Sequence, residues 1–219
     1  MKQFDIITIF PHILDSYINE SLFKRAQKNK LVKINFHYLR KWTKDKHQTV
    51  DDKPYGGGVG LLFKADILMK AIKSIKKKKK SRIILTAASG KRFTQKEAKR
   101  LAAYDQLIFV CPRYEGVDVR VEKMADEKIS IGDYVLTGGE LPAIVIMDAV
   151  ARHYPTFVGK QESVENESFS SEDYLEYPQY TRPEVIEYQG KKLRVPKVLL
   201  SGHHGEIKKW REKKAKKVK

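Results

Sequence analysis

Seven residues, Gln106-Leu-Ile-Phe-Val-Cys-Pro112, set the first limit on the fold. A short, unbroken apolar run closed by a proline reads as a strand covered on both faces. Such strands belong to parallel sheets with helices on each side, so the chain is expected to be α/β with a mostly parallel sheet. Its neighbours agree. Asp5–Phe10 is another short apolar run, ended by Pro11. Leu31–Leu39 sets Val32, Ile34, Phe36 and Tyr38 against Lys33, Asn35 and His37, the alternation of a half-buried strand. Ser81–Ala88 reads as a strand and Ile129–Thr137 as extended. Helical patterns fall between them, over Ile13–Lys28, Phe63–Lys79, Thr94–Tyr104, Gly116–Met124 and Gly139–His153.

The composition changes after residue 159. Gln161–Glu176 carries six acidic residues and four serines with no periodicity, and reads as a mobile linker. The expected organisation is an α/β domain over 1–159, an acidic linker over 160–176 and a small, mainly helical part over 177–219. That last part ends in IKKWREKKAKKVK, eight basic residues against one acid. Over all 219 residues, 44 Lys and Arg oppose 27 Asp and Glu, a net charge of +17. This predicts a polyanionic partner, with RNA or DNA first and an anionic membrane surface second. The single cysteine, Cys111, excludes an intramolecular disulfide framework and multi-cysteine metal sites. No secretory leader opens the chain and no run approaches 18 apolar residues, so a reducing cytoplasm is expected.

Four strings carry possible chemistry. Tyr55-Gly-Gly-Gly-Val-Gly60 is not a phosphate loop, since GxxxxGK[ST] is absent, but Asp51, Asp52 and Pro54 flank it. Consecutive glycines let backbone approach a ligand closely. Arg113-Tyr-Glu-Gly116 follows the buried strand, where α/β sheets bind ligands, although a plain turn with solvated charges explains it slightly better. In Ser130-Ile-Gly-Asp-Tyr-Val-Leu-Thr-Gly-Gly-Glu-Leu-Pro142, glycines bracket a short apolar run and Pro142 sits in the first turn of a helix. Such backbone can wrap a flat ligand such as adenine. Arg152 follows Asp148 by four residues, the spacing of a helical ion pair. His203-His204 has no nearby Cys or His to complete a metal site, and a helix start near Ser201-Gly202 explains it better.

With these strings in view, the chain resembles the bacterial tRNA (guanine-N1)-methyltransferases of the TrmD type. The matching strings are HQTVDDKPYGGGVG (47–60), CPRYEGVDVR (111–120), SIGDYVLTGGELPAIV (130–145), YPQYTRPEV (177–185) and VPKVLLSGHHGEIKKWR (195–211). Each is weak alone; five in order are specific. The resemblance implies a SPOUT-type domain with a deep trefoil knot whose loops hold S-adenosylmethionine. It implies a homodimer with each active site built from both subunits. It implies methylation of N1 of the tRNA guanosine at position 37, preceded by guanosine, which maintains the reading frame.

Carried over by motif, Ser130, Ile131, Gly132, Asp133, Tyr134, Val135 and Leu136 would line the methyl-donor pocket with Gly138, Gly139 and Pro142. Pro112, Tyr114 and Gly116 would form a second wall, and Thr86, Ala88 and Gly90 a third. Glu115 and Arg152 would flank the reacting centre, with Glu167 as the general base. Asp51, Gly57 and Gly58 would position the guanine, and Arg182 and the basic tail would contact tRNA. Magnesium assists the family's catalysis, but the sequence shows no ligand set for it. Three departures stand out. Glu167 occupies an aspartate position, Pro112 and Ala88 replace the usual glycine and proline, and the chain ends soon after Trp210-Arg211. Other RNA targets for the same chemistry, and a non-catalytic RNA-binding relative, are the competing readings.

Overall fold

A computed structural model describes residues 1–159, 167–171 and 174–217. The chain divides into two compact units, Met1–Gly159 and Lys160–Lys219. In the first, the strands β1 (Lys2–Thr8) and β2 (Val32–Tyr38) enclose the helices α1 (Asp15–Ile18) and α2 (Ser21–Lys28). A short antiparallel pair follows, β3 (Asp51–Asp52) with β4 (Leu62–Phe63), then helix α3 (Ala65–Ser74). Next come β5 (Ser81–Arg92), α4 (Gln95–Ala102), β6 (Gln106–Val110), α5 (Val119–Glu122), β7 (Glu127–Ser130) and α6 (Glu140–Ala151). Five strands form one sheet in the order β2-β1-β6-β5-β7, and every neighbouring pair is parallel.

The sheet is covered on both faces, as the run at 106–112 demands. All five residues of β6 are buried. Leu107 and Phe109 join Phe4, Ile6 and Ile84 in one core, against the layer of α1, α2, α4 and α6. Ile108 and Val110 join Ile7, Ile83 and Leu85 in the other, against α3 and α5. The alternation along each strand follows from the two-residue period of the pleat.

Several boundaries differ from the sequence reading, each for a local reason. The pattern over 13–28 is two helices, broken where Ser21 takes a positive φ of 47°. The helix at 63–79 ends at Ser74. Beyond it the buried Gln106 side chain holds the main chain instead: its Nε2 donates to the Lys76 carbonyl (3.2 Å), and its Oε1 accepts from the Lys78 amide (2.7 Å). The helix expected over 116–124 keeps one turn, α5, capped by the Asp118 side chain. β5 runs on to Arg92 through a register break, because Thr86 and Lys91 both pair with Ile129. The extended stretch expected over 129–137 stops at Ser130. There the Ser130 hydroxyl donates to the Gly132 carbonyl (2.9 Å) and turns the chain.

The second unit, among its described residues, has β8 (Tyr174–Leu175) paired with β11 (Lys216–Lys217) and a hairpin of β9 (Val185–Tyr188) and β10 (Lys191–Arg194). Its helices are α7 (Lys197–Leu200) and α8 (His204–Lys214). Hairpin and helices thus share a part expected to be mainly helical, and the helix placed at Ser201-Gly202 begins at His204. Most of the acidic run at 160–176 lies outside the described residues. No helix among the described residues is long and apolar enough to cross a membrane.

Candidate active site

The ends of three strands define a cleft. β5 delivers Thr86 where its first stretch of pairing with β7 ends, β6 delivers Pro112 just past its carboxyl end, and β7 delivers Ser130 at its own. This is where a parallel sheet leaves room for a ligand. The cleft encloses about 370 Å³, within the range of small-molecule sites.

One wall is the register break in β5. With Thr86 and Lys91 both opposite Ile129, the residues between them loop outward, and Ala87, Ala88 and Ser89 face the cleft. Gly90 closes that loop against the β7 backbone, where a Cβ would come within 2.6 Å of the Ile129 amide nitrogen. It is a packing glycine, and does not line the cleft as expected.

A second wall runs from Pro112 through Arg113, Tyr114, Glu115 and Gly116. It is stitched to the strand β4: the Glu115 amide donates to the Leu61 carbonyl (3.0 Å) and the Phe63 amide to the Gly116 carbonyl (3.0 Å). The stitching brings the glycine loop alongside. The Glu115 side chain fills the space a Cβ on Gly60 would need. The Tyr114 hydroxyl donates to Asp51, and partial burial together with that carboxylate raises the phenol's pKa. Gly57 and Gly58 hold positive φ values of 81° and 127° with open space around them, conformations that favour glycine.

The third wall is the loop 130–139 with the first turn of α6. Ser130, Ile131, Gly132, Tyr134, Val135, Leu136, Gly138, Gly139 and Pro142 all line the cleft. Asp133 does not; its carboxylate points to solvent, 3.6 Å from the Arg92 guanidinium. The loop docks through its two glycines. The Gly139 amide donates to the Pro112 carbonyl (2.8 Å), and its carbonyl accepts from the Thr86 hydroxyl (3.3 Å). A Cβ at Gly139 would overlap Thr86 and Pro112, and one at Gly138 would overlap the Arg113 side chain.

Beneath this loop lies a polar anchor that sequence reasoning missed. Glu140 is 1% exposed. It accepts from the Thr8 hydroxyl (2.7 Å) and from Arg113 Nε (2.9 Å). The Arg113 guanidinium also lies 4.8 Å from the Phe10 ring centroid. Glu140 therefore ties β1, the wall at 112–116 and the start of α6 together. The available clue was an acid inside the apolar start of a helix, directly after two glycines.

A scan against known families now decides the kinship: the model for "tRNA (Guanine-1)-methyltransferase TrmD" matches residues 1–219. The chain belongs to the TrmD family. A tRNA (guanine-N(1)-)-methyltransferase of Clostridium acetobutylicum is 47% identical over 216 residues, 99% of this chain and 87% of that protein. One of Dictyoglomus turgidum is 49% identical, over 98% and 85%, and one of Geobacter sulfurreducens 47%, over 97% and 86%.

The catalytic residues expected from the TrmD resemblance fall in both units. Glu115 lines the cleft. Arg152 caps the carboxyl end of α6, whose first turn borders the cleft. Twelve residues of helix rise about 18 Å, so Arg152 sits far from its own chain's cleft. Asp148, one turn before Arg152 on the helix, accepts a hydrogen bond from the Tyr17 hydroxyl (2.9 Å). Glu167 and Arg182 belong to the second unit, Glu167 half-buried and Arg182 exposed. Among the described residues no group of three or more His, Cys, Asp or Glu could hold a metal ion. Cys111 is buried and its thiol pKa is driven up by burial, so it is no nucleophile.

Proposed function

We propose that this chain transfers a methyl group from S-adenosylmethionine to N1 of guanosine 37 in tRNA, where guanosine precedes it. The observation that carries the reading is the cleft itself. It lies at the carboxyl ends of three parallel strands and is walled by exposed backbone from two loops that only glycines allow to close. Its lining suits a nucleoside: main-chain N–H and C=O groups at 131–138 for a flat ring, and apolar faces from Pro112, Ile131 and Leu136. We infer that the chain threads its β5–β7 loops into the deep trefoil knot of SPOUT proteins.

When bound, the donor supplies a methyl group already activated as a sulfonium. The protein's remaining tasks are proton removal, charge stabilisation and alignment. The guanine N1 proton must leave before the nitrogen attacks well, and the Glu167 carboxylate takes it. Negative charge then grows on the guanine O6, and the Arg152 guanidinium stabilises it. Glu115, Asp51 and the open glycines 57 and 58 hold the base against the donor, a positioning task worth a large part of the barrier.

The distance of Arg152 from its own cleft fits a homodimer in which a second copy supplies Arg152 and Glu167. An apolar patch supports that assembly: Phe10, Ile13, Tyr17, Leu141 and Val145 are all exposed on α6 and the segment beside it, joined by the Tyr17–Asp148 bond. The tRNA would be gathered by Arg182 and the lysine-rich end of the chain. Labelled S-adenosylmethionine should mark an unmodified transcript with guanosines at 36 and 37, and leave unmarked a transcript with adenosine at 37. Equal labelling of both transcripts would count against the target, and labelling of neither against the activity.

A further inference from the structure

The second unit holds an aromatic groove that the methyl-transfer chemistry leaves unused. Tyr177, Tyr180, Arg182, Glu184, Trp210 and Arg211 line it, around a volume of about 480 Å³. The Tyr180 and Trp210 rings lie 6.2 Å apart at 60°, and the Arg211 guanidinium sits 4.9 Å from the Tyr177 ring centroid. Among the described residues of this unit no side chain is buried, so the rings do not belong to a closed core. Tyr180 alone is 49% exposed. The unit is also strongly basic, with twelve Lys and Arg against five Asp and Glu over 174–217.

These facts constrain the occupant. It must offer a flat apolar face to the rings and negative charge to the surrounding cations. Another copy of the same unit lacks the negative charge and is repelled by its own like charge. An unpaired base on a phosphate chain offers both. Two guanidiniums stand ready for phosphate or for the base's acceptor edge, and the Glu184 carboxylate can accept from its N–H groups.

We propose that this groove binds an unpaired base of the RNA substrate by stacking, with Trp210 as its platform and Arg182 and Arg211 as its polar guides. The proposal rests on the tRNA reading and names a site within it. It adds base contact to a part of the chain otherwise credited only with phosphate attraction.

The chain has two tryptophans, Trp42 and Trp210, so Trp42→Phe leaves Trp210 as the sole indole reporter. Its fluorescence is followed, without any methyl donor, on adding an anticodon-arm hairpin. The same hairpin with an abasic loop and a duplex of equal charge serve as companions. Saturable quenching by the intact loop alone is expected. Trp210→Leu should weaken hairpin binding about tenfold and Trp210→Phe by no more than about twofold, since a ring face is retained. Equal quenching by all three RNAs would reduce the groove to a charged surface and overturn the proposal. So would hairpin binding without quenching, or no binding at all. Methyl transfer is read separately on the same protein: quenching without transfer removes the enzymatic reading and leaves the groove.

Discussion

The glycines at 138 and 139 place no side chain in the cleft, and that is their contribution. Gly139 lets its loop lie against Thr86 and Pro112, and Gly138 leaves room for Arg113. Gly139→Val should therefore weaken S-adenosylmethionine binding by at least about a hundredfold and destabilise the domain by about 2–3 kcal/mol through overpacking. Calorimetric titration and thermal melting check the two effects; unchanged affinity would remove the loop from the site. Glu167 is a different kind of claim, about a proton. Glu167→Gln should lower kcat about a hundredfold or more with tRNA and donor affinities kept, while Glu167→Asp stays active. Single-turnover rates with both ligands saturating decide it. Most cleft residues were legible because the motif strings are local and the cleft is built from local loops. Gly90 and Asp133 lie off the cleft wall, and a string cannot say which way a residue faces. Glu140 was missed because a glutamate reads as surface until its partners, from Thr8 and Arg113, are brought to it.

The strands were legible as elements and their ends were not. Unbroken apolar runs marked β1 and β6, and apolar–polar alternation marked β2, since a strand covered on both faces favours the first pattern and a half-buried strand the second. The register break in β5 left no mark in composition, because it depends on Gly90 meeting the β7 backbone. The lysine loop was mistaken for helix because its competitor, Gln106, lies 28 residues from Lys78. Gln106 belongs to a polar cluster inside the sheet. Asp5, 1% exposed, accepts from Gln106 Nε2 (2.8 Å), Asn35 Nδ2 (2.9 Å) and Gln3 Nε2 (2.8 Å), and His37 Nε2 lies 2.8 Å from it. Burial alone would raise its carboxyl pKa, but the hydrogen bonds from these four side chains outweigh it and hold the value below the usual range. A lowered folded pKa means the unfolded chain binds the proton more readily. The stabilisation is thus complete above about pH 4, and is lost as pH falls through the folded value. Asp5→Asn should cost about 3 kcal/mol at pH 7 and flatten the acid limb of a stability–pH curve. An unchanged acid limb would show that another carboxylate sets it.

At the scale of the whole molecule, the two ends of α6 carry the argument. Its first turn closes one cleft, and its last residue lies a helix length away. A symmetric pair of chains can bring each Arg152 to the other's cleft, and the exposed side chains along α6 give that pair a face to share. The arrangement makes a complementation prediction. Gly139→Val damages the cleft, and Arg152→Ala damages what is donated to the other copy. Each variant alone should be nearly inactive. Mixed and re-equilibrated, half the dimers are hybrids with one intact site each, so activity should return to about one quarter of wild type. No recovery, with exchange of subunits verified, would place Arg152 in its own chain's site. The helix pattern gives length but not which cleft its far end serves; in the sequence only the family resemblance pointed to a site shared between two subunits.

The central claim is that one nitrogen of one guanosine is the acceptor. The direct measurement is to let the protein act on an unmodified tRNA carrying guanosines at 36 and 37, digest the product, and identify the methylated nucleoside by mass spectrometry with its position. 1-Methylguanosine at position 37 alone is the predicted result. A methyl group on a ribose hydroxyl, on another atom of guanine or at another position would contradict the account, whatever the rate of transfer.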